Sequence, residues 1–283
     1  MSKVVIDQYA VIGNPIEHSK SPIIHGMFAQ QTDDAMSYDT ILSPLDGFVD
    51  TVKKFQQQGG KGLNVTVPFK EEAWKLADEL SDYAQYAGAV NTLMFKQDGS
   101  IYGANTDGIG LVRDLIDNYN IELQGKRVLL LGAGGAAKGV VQPLLEQGIK
   151  ALIIANRTEE RATTLASDFM ESAKKLGSEI QGGSYNDLRE QEQFDLILNA
   201  TAASLQGIMP PMPESCLYDQ SVCYDLMYAG KPTAFEYWCE DNGAALVFNG
   251  LGMLVEQAAE SYSIWRGTQP ATKPVLNSLL VSF

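Results

Sequence analysis

The sequence predicts an α/β protein of two domains: an N-terminal substrate domain on a mainly parallel sheet, and a dinucleotide-binding domain of the Rossmann type. Three observations carry this. Short apolar runs alternate with helical patterns along most of the chain. One such run, Val128–Leu131, leads straight into Gly132-Ala-Gly-Gly-Ala-Ala137 and a helical stretch. The chain has 283 residues, long enough for two cores.

Tyr9–Gly13 reads as the first buried strand. Asn14-Pro-Ile-Glu-His-Ser-Lys-Ser-Pro22 is a polar loop, and Ile23–Gln31 a helix with Ser21 as N-cap and Pro22 at its first position. Ser37–Leu42 is a second strand. Leu45–Gln58 is an amphipathic helix ended by Gly59-Gly60. Leu63–Val67 is a third strand, halted by Pro68, and Phe69–Leu80 a helix. Val90–Phe95 and Ser100–Asn105 flank Lys96-Gln-Asp-Gly99, a hairpin signal. Ile109–Tyr119 is the helix that follows.

The second half reads as strands near 127–131, 151–155, 194–199, 222–226 and 245–248, with helices near 136–147, 158–175 and 232–242. Pro143 is expected to kink the first of these helices. The stretch 176–193 holds at most a short strand. Met253–Arg266 and Pro274–Val281 are the last two helices. The expected division is 1–107, 108–250, and a segment 251–283 that returns to the first domain. Two crossings of the chain predict a hinged cleft, a common place for small-molecule sites.

Composition narrows the function. Net charge is −14, which disfavours nucleic acid and anionic membranes as partners. Cys216, Cys223 and Cys239 lack CxxC spacing and read as free thiols in a reducing compartment. Asp7 arrives too early for a signal-peptide core, and no apolar run approaches the ~18 residues of a membrane span. The expected location is the cytoplasm. His18 and His25 are not spaced as a metal pair, so no metal is expected. No interface pattern stands out, and a monomer or homodimer is expected.

The glycine loop carries the first chemistry. Gly132 permits a tight turn, Gly134 lets backbone approach a pyrophosphate, and Ala137 is small enough for helix–strand packing. The helix N-terminus adds free N–H groups and a positive dipole end. A bare strand–helix turn would look similar, so context matters. The next strand, Ala151–Ala155, ends at Asn156-Arg-Thr158, about one βαβ unit later. A neutral Asn156 replaces the carboxylate that usually holds ribose hydroxyls, and Arg157 and Arg161 follow. That exchange favours a 2′-phosphate, hence NADP, over two merely solvated arginines. Lys70 and Asp107 end separate loops. They suit a proton-transfer pair, although spacing alone favours a structural ion pair or two exposed charges. Ser19 and Ser21, one residue apart, suit a carboxylate ligand or ordinary capping.

Seven motifs in order give a resemblance spanning nearly the whole chain. They are Gly13-Asn-Pro-Ile-Glu-His-Ser-Lys-Ser-Pro22, Asn64-Val-Thr-Val-Pro-Phe-Lys70, Gly88-Ala-Val-Asn-Thr92, Asn105-Thr-Asp-Gly108, Gly132-Ala-Gly-Gly-Ala-Ala137, Asn156-Arg-Thr158 with Arg161, and Gly250-Leu-Gly-Met-Leu-Val-Glu-Gln257. The chain resembles the shikimate dehydrogenases. The resemblance implies reversible hydride transfer between NADP and the ring carbon that separates shikimate from 3-dehydroshikimate, within aromatic amino-acid biosynthesis. It implies Lys70 and Asp107 as the catalytic pair, and Ser19 and Ser21 on the substrate carboxylate. Thr66, Asn91 and Gln257 are implied on the hydroxyl groups. Gly132, Ala133, Gly134, Gly135, Ala136 and Ala137 are implied at the pyrophosphate, and Asn156, Arg157, Thr158 and Arg161 at the ribose phosphate. Met227, Tyr228 and Gly250 are implied at the nicotinamide end, Tyr228 also near substrate. The chain departs from the family pattern at Gly26, Ala202 and Asn249, none of them an implied catalytic position. Two alternatives are a quinate/shikimate dehydrogenase preferring NAD, and a non-catalytic NADP-binding regulator. Thr158 and Glu159 follow Arg157 where such relatives tend to carry Asp, and Arg161 is present, which disfavours the first; the retained Lys70 and Asp107 disfavour the second.

Overall fold

The computed structural model describes residues 6–201, 203 and 207–281; Ala202 lies outside them. The chain forms two compact units: residues up to Gly110 with those from Val255 onward, and Leu111–Leu254.

The first unit contains β1 (Asp7–Gly13), α1 (Ser21–Thr32), β2 (Met36–Leu42), α2 (Phe48–Gln57), β3 (Gly60–Val65), α3 (Lys70–Leu76), β4 (Glu79–Leu80), α4 (Asp82–Ala87), β5 (Thr92–Phe95) and β6 (Ile101–Ala104). Its sheet runs in the order β2-β1-β3-β5-β6-β4. β1 pairs in parallel with β2 and β3, whereas β5 runs against both β3 and β6. Ala10, Ile12, Leu63, Val65 and Leu93 pack against Phe48, Val52, Phe69 and Ala73 of the covering helices.

Two local expectations fail here. The helix expected over Phe69–Leu80 stops at Leu76, because the β6 edge recruits the following chain. Asp78 N–H bonds Ile101 C=O at 2.9 Å, and the Asp78 carboxylate accepts Ile101 N–H at 2.8 Å. Ser21 is not the N-cap of α1. Lys20 takes that position, and Ser21 begins the helix with its side chain buried.

α5 (Asp107–Arg113) runs on into a π-helical turn, Asp114–Asn118. The second unit then follows with β7 (Arg127–Leu131), α6 (Gly135–Glu146), β8 (Ala151–Ala155), α7 (Glu159–Asp168), α8 (Met170–Leu176), β9 (Glu179–Gly183), β10 (Leu196–Asn199), β11 (Val222–Asp225), α9 (Ala234–Asp241) and β12 (Leu246–Asn249). Its sheet order is β12-β11-β10-β7-β8-β9, with every pair parallel. The chain winds outward from β7 to one side and, from β10, to the other. That is the doubly wound dinucleotide-binding arrangement, with its switch point between β7 and β10. Parallel sheets are covered on both faces, so their strands read as unbroken apolar runs. Val128 and Leu130 accordingly join one core, and Leu129 and Leu131 the other.

The helix expected over 158–175 is broken at Phe169, which is buried between α7 and α8. The ambiguous stretch holds β9, and Gly182 explains its fit: a Cβ there would lie 2.1 Å from the Ala162 carbonyl oxygen of α7. α6 continues through Pro143, whose buried apolar neighbours Val140, Val141 and Leu144 offset the one lost helical bond. α10 (Leu251–Arg266) and α11 (Lys273–Val281) close the chain, and α10 joins the first unit from Val255 onward. Among the described residues no helix is long and apolar enough to cross a membrane.

Candidate functional site

β1, β3 and β6 point the same way and β5 points back. The loops leaving the first three strands, and the one entering β5, therefore share one edge of the sheet. Open α/β sheets hold ligands at such carboxyl ends. Ser19 and Ser21 follow β1, Thr66 and Lys70 follow β3, Asn91 precedes β5, and Asp107 follows β6. Thr66 rests on Gly13, where a Cβ would meet the threonine methyl at 2.4 Å.

The structure brings Lys70 and Asp107 together. Lys70 Nζ donates to Asp107 Oδ2 at 2.6 Å, with the side chains 26% and 10% exposed. Asn91 Nδ2 donates to Asp107 Oδ1 at 2.8 Å and to Gln257 Oε1 at 3.2 Å. Asp107 is thus gripped on both oxygens. Its own N–H donates to Asn105 Oδ1 at 3.1 Å. Lys70 is the first residue of α3, where the helix dipole disfavours a cation. Helix stability does not explain its placement; the carboxylate opposite does.

Beneath this layer lies a polar core that the motif reading did not single out. Asn64 is buried and uses all its hydrogen-bonding capacity. Its amide nitrogen shares two N–H donors among Asn91 C=O (3.2 Å), Thr92 Oγ1 (3.2 Å) and Ser261 Oγ (3.0 Å). Its Oδ1 accepts from Tyr38 (2.7 Å) and from His25 Nε2 (3.1 Å). Asn91 C=O can only accept, which fixes the amide nitrogen on that side and Oδ1 as the acceptor, so His25 carries its proton on Nε2. His25 stacks on Tyr38 at 4.2 Å, and burial lowers its pKa to about 3, leaving the ring neutral. Two signals in the sequence could have found this core. Asn64 opens the motif that ends at Lys70, and Ser261 lies one helical turn beyond Gln257.

In the second unit the glycine loop sits at the switch point. Gly132 has φ +105°, and its N–H donates to Ala155 C=O at 2.8 Å, tying the loop to the end of β8. Gly134 caps α6 without a side-chain bond. A Cβ built on Gly134 or Gly135 meets nothing within 4 Å, so the loop faces open space that side chains would fill. Free N–H groups bordering such space fit a pyrophosphate. Ala133 is half-buried, Ala136 exposed, and Ala137 buried against the sheet as expected. Asn156 Nδ2 donates to Thr158 C=O at 2.9 Å, folding the turn that carries Arg157, Thr158 and Arg161, all exposed. Met227 and Tyr228 lie half-buried just after β11, and Met227 C=O accepts Gly250 N–H at 3.0 Å.

Comparison with known proteins agrees along the chain. Family profiles match residues 11–93 (shikimate dehydrogenase substrate binding domain), 114–227 (shikimate / quinate 5-dehydrogenase) and 250–280 (shikimate 5'-dehydrogenase C-terminal domain). The chain is 52% identical to shikimate dehydrogenase (NADP(+)) of Cupriavidus taiwanensis, over 98% of this chain and 95% of that protein. It is similar to the crystal structure of an Ael1 enzyme from Pseudomonas putida, with TM-score 0.89, 44% identity and coverage of 96% and 98%. It is also similar to shikimate 5-dehydrogenase from Thermus thermophilus in complex with NADP(H) and shikimate, with TM-score 0.84, 29% identity and coverage of 98% and 100%. The chain belongs to the shikimate dehydrogenase family.

Proposed function

We propose that this protein is an NADP-dependent shikimate dehydrogenase, reversibly reducing 3-dehydroshikimate to shikimate in aromatic amino-acid biosynthesis. Family membership gives the reaction, and one observation carries the site: the Lys70–Asp107 contact of 2.6 Å at the ligand edge of the first sheet. Oxidising an alcohol requires loss of its proton as hydride leaves, and reduction requires the reverse. Lys70 Nζ takes or returns that proton at the reacting oxygen. Asp107, held by Asn91, aims the ammonium and balances its charge. Ser19 and Ser21 offer hydroxyls to the substrate carboxylate. Thr66, Asn91 and Gln257 offer donors and acceptors to the ring hydroxyls. Asn91 and Gln257 already bond each other, so their side chains are set before substrate arrives.

NADP, when bound, supplies the hydride chemistry. Gly132–Ala137 hold its pyrophosphate. Asn156, Arg157, Thr158 and Arg161 hold the ribose phosphate, and Met227, Tyr228 and Gly250 the nicotinamide end. Three buried free thiols support a cytoplasmic location, and we place the protein there as a monomer or homodimer.

The deciding experiment is a grid of NADP or NAD with shikimate or quinate, read by absorbance of reduced nicotinamide. Turnover is expected with NADP and shikimate. Quinate oxidation with NAD would instead assign the sister activity, and silence in all four cells with NADP still bound would make the protein a regulator. A second arm replaces Arg157 and Arg161 together. The double variant is expected to weaken NADP by about 1.5–3 kcal/mol, the range for hydrogen bonds to charged groups, and to leave NAD nearly unchanged. Equal losses for both cofactors would show that these arginines do not read the 2′-phosphate.

A further inference from the structure

We infer that Asp225 is a positioning residue that clasps both ends of the loop 226–233 and thereby fixes Met227, Tyr228 and Gly250. The inference rests on the reading that these three residues serve the nicotinamide end.

Asp225 is the last residue of β11 and is fully buried. Burying a carboxylate costs several kcal/mol unless donors satisfy both oxygens. Here each oxygen serves a different end of the loop. Oδ1 accepts Met227 N–H at 3.0 Å, where the loop begins. Oδ2 accepts the Thr233 hydroxyl at 2.7 Å, where the loop ends and α9 starts. Ala229–Pro232 between them are exposed. The first grip is relayed onward, since Met227 C=O accepts Gly250 N–H at 3.0 Å. Gly250 must be glycine for this approach: a Cβ would lie 2.2 Å from Leu226 C=O.

Thr233 is itself held. It forms a capping box with Glu236, accepting Glu236 N–H at 3.3 Å while its own N–H donates to Glu236 Oε2 at 2.7 Å. Its hydroxyl oxygen is therefore occupied as an acceptor, and its proton is directed at Asp225. The clasp thus joins the end of β11, the start of α9 and the turn before α10.

The test pairs Thr233→Val, which removes the hydroxyl at nearly constant volume, with Thr233→Ser and Asp225→Asn. Amide exchange of the peptide 226–233, followed by mass spectrometry without cofactor, reads the clasp directly. Thr233→Val is expected to speed that exchange at least tenfold while β7 and α6 stay protected. It is also expected to lower kcat about tenfold, since small misplacements at a reacting centre cost up to about a hundredfold. The isotope effect on transfer of deuterium from labelled NADPH should rise, because misplacement slows the chemical step. Thr233→Ser should restore both readouts to within about twofold, and Asp225→Asn, which keeps the shape, should fall between.

Trp238→Ala separates the clasp from the general stability of α9, because it removes packing on the second-unit core and touches none of the bonds to Asp225 or Thr233. It should lower the melting temperature and leave kcat alone. The proposal is overturned if Thr233→Val exchanges as slowly as the parent, or if Trp238→Ala reproduces its kinetic loss. It is also overturned if exchange speeds up while kcat and the isotope effect stay at parental values. Failure of the NADP reading itself would appear separately, as absence of turnover in the unsubstituted protein.

Discussion

Lys70→Ala yields a folded protein with kcat lower by about a thousandfold, within the range for removing a general acid–base group. Folding survives because Asp107 keeps its other supports. Asn91 still donates to Oδ1 at 2.8 Å, and the carboxylate still lies at the N-terminus of α5, where the dipole favours it. The ion pair is partly exposed, so its loss costs only about 1 kcal/mol of stability. The functional cost is larger because no other ammonium contacts Asp107 among the described ion pairs. Lys70→Arg does not restore the rate: a guanidinium keeps its charge at any working pH and cannot accept the proton. Steady-state kcat with saturating shikimate and NADP, alongside the melting temperature, checks this. A folded Lys70→Ala enzyme with near-parental kcat would remove Lys70 from the mechanism.

How far the sequence carried this site depends on which interactions are local. Val128–Leu131 and the glycine loop were legible because strand, turn and helix are neighbours in sequence, and Ala151–Ala155 matched β8 to the residue. The edge strand β4 was not legible. Its two residues pair only because Tyr102 and Gly103 lie alongside, a partnership that periodicity does not encode. The break at Phe169 has the same origin, since burial of one aromatic outweighs continued helix. At the site, spacing left Lys70 and Asp107 open as a pair, being 37 residues apart. Seven motifs in order resolved what spacing could not. The buried Asn64 core stayed hidden because its partners Tyr38, Asn91, Thr92 and Ser261 are scattered along the chain.

Asn64→Leu strips that core and is expected to cost roughly 3–5 kcal/mol, a range set by which groups can find new partners. Thr92 and Ser261 already bond each other at 2.7 Å and lose little. The Tyr38 hydroxyl and His25 Nε2 lose their shared acceptor, each at about 1–3 kcal/mol, whereas Asn91 C=O keeps Val65 N–H at 2.8 Å; His25 Nδ1 has no partner among the described residues even before the change. Activity should fall less than stability, because the Asn91 backbone keeps its bonds to Val65 N–H and Ala104 C=O and its side chain still donates to Asp107 at 2.8 Å. Asn64→Asp makes a sharper test, through the sign of the pH dependence. In the parent, His25 has a folded pKa of about 3, below its ordinary 6.5. The unfolded chain therefore binds a proton that the native state refuses. This contribution to stability is complete above pH 6.5 and is lost as pH falls toward 3, by up to about 1.4 kcal/mol per unit. A carboxylate at position 64 would share a buried proton with His25, so the native variant binds the proton that the parent excludes. Stability of Asn64→Asp should then hold or rise between pH 7.5 and 5.5, while that of the parent falls. Urea midpoints at the two pH values measure both slopes. Identical slopes would mean that His25 does not sense residue 64, and that the amide is not the hub joining α1 to the Asn91–Asp107 pair.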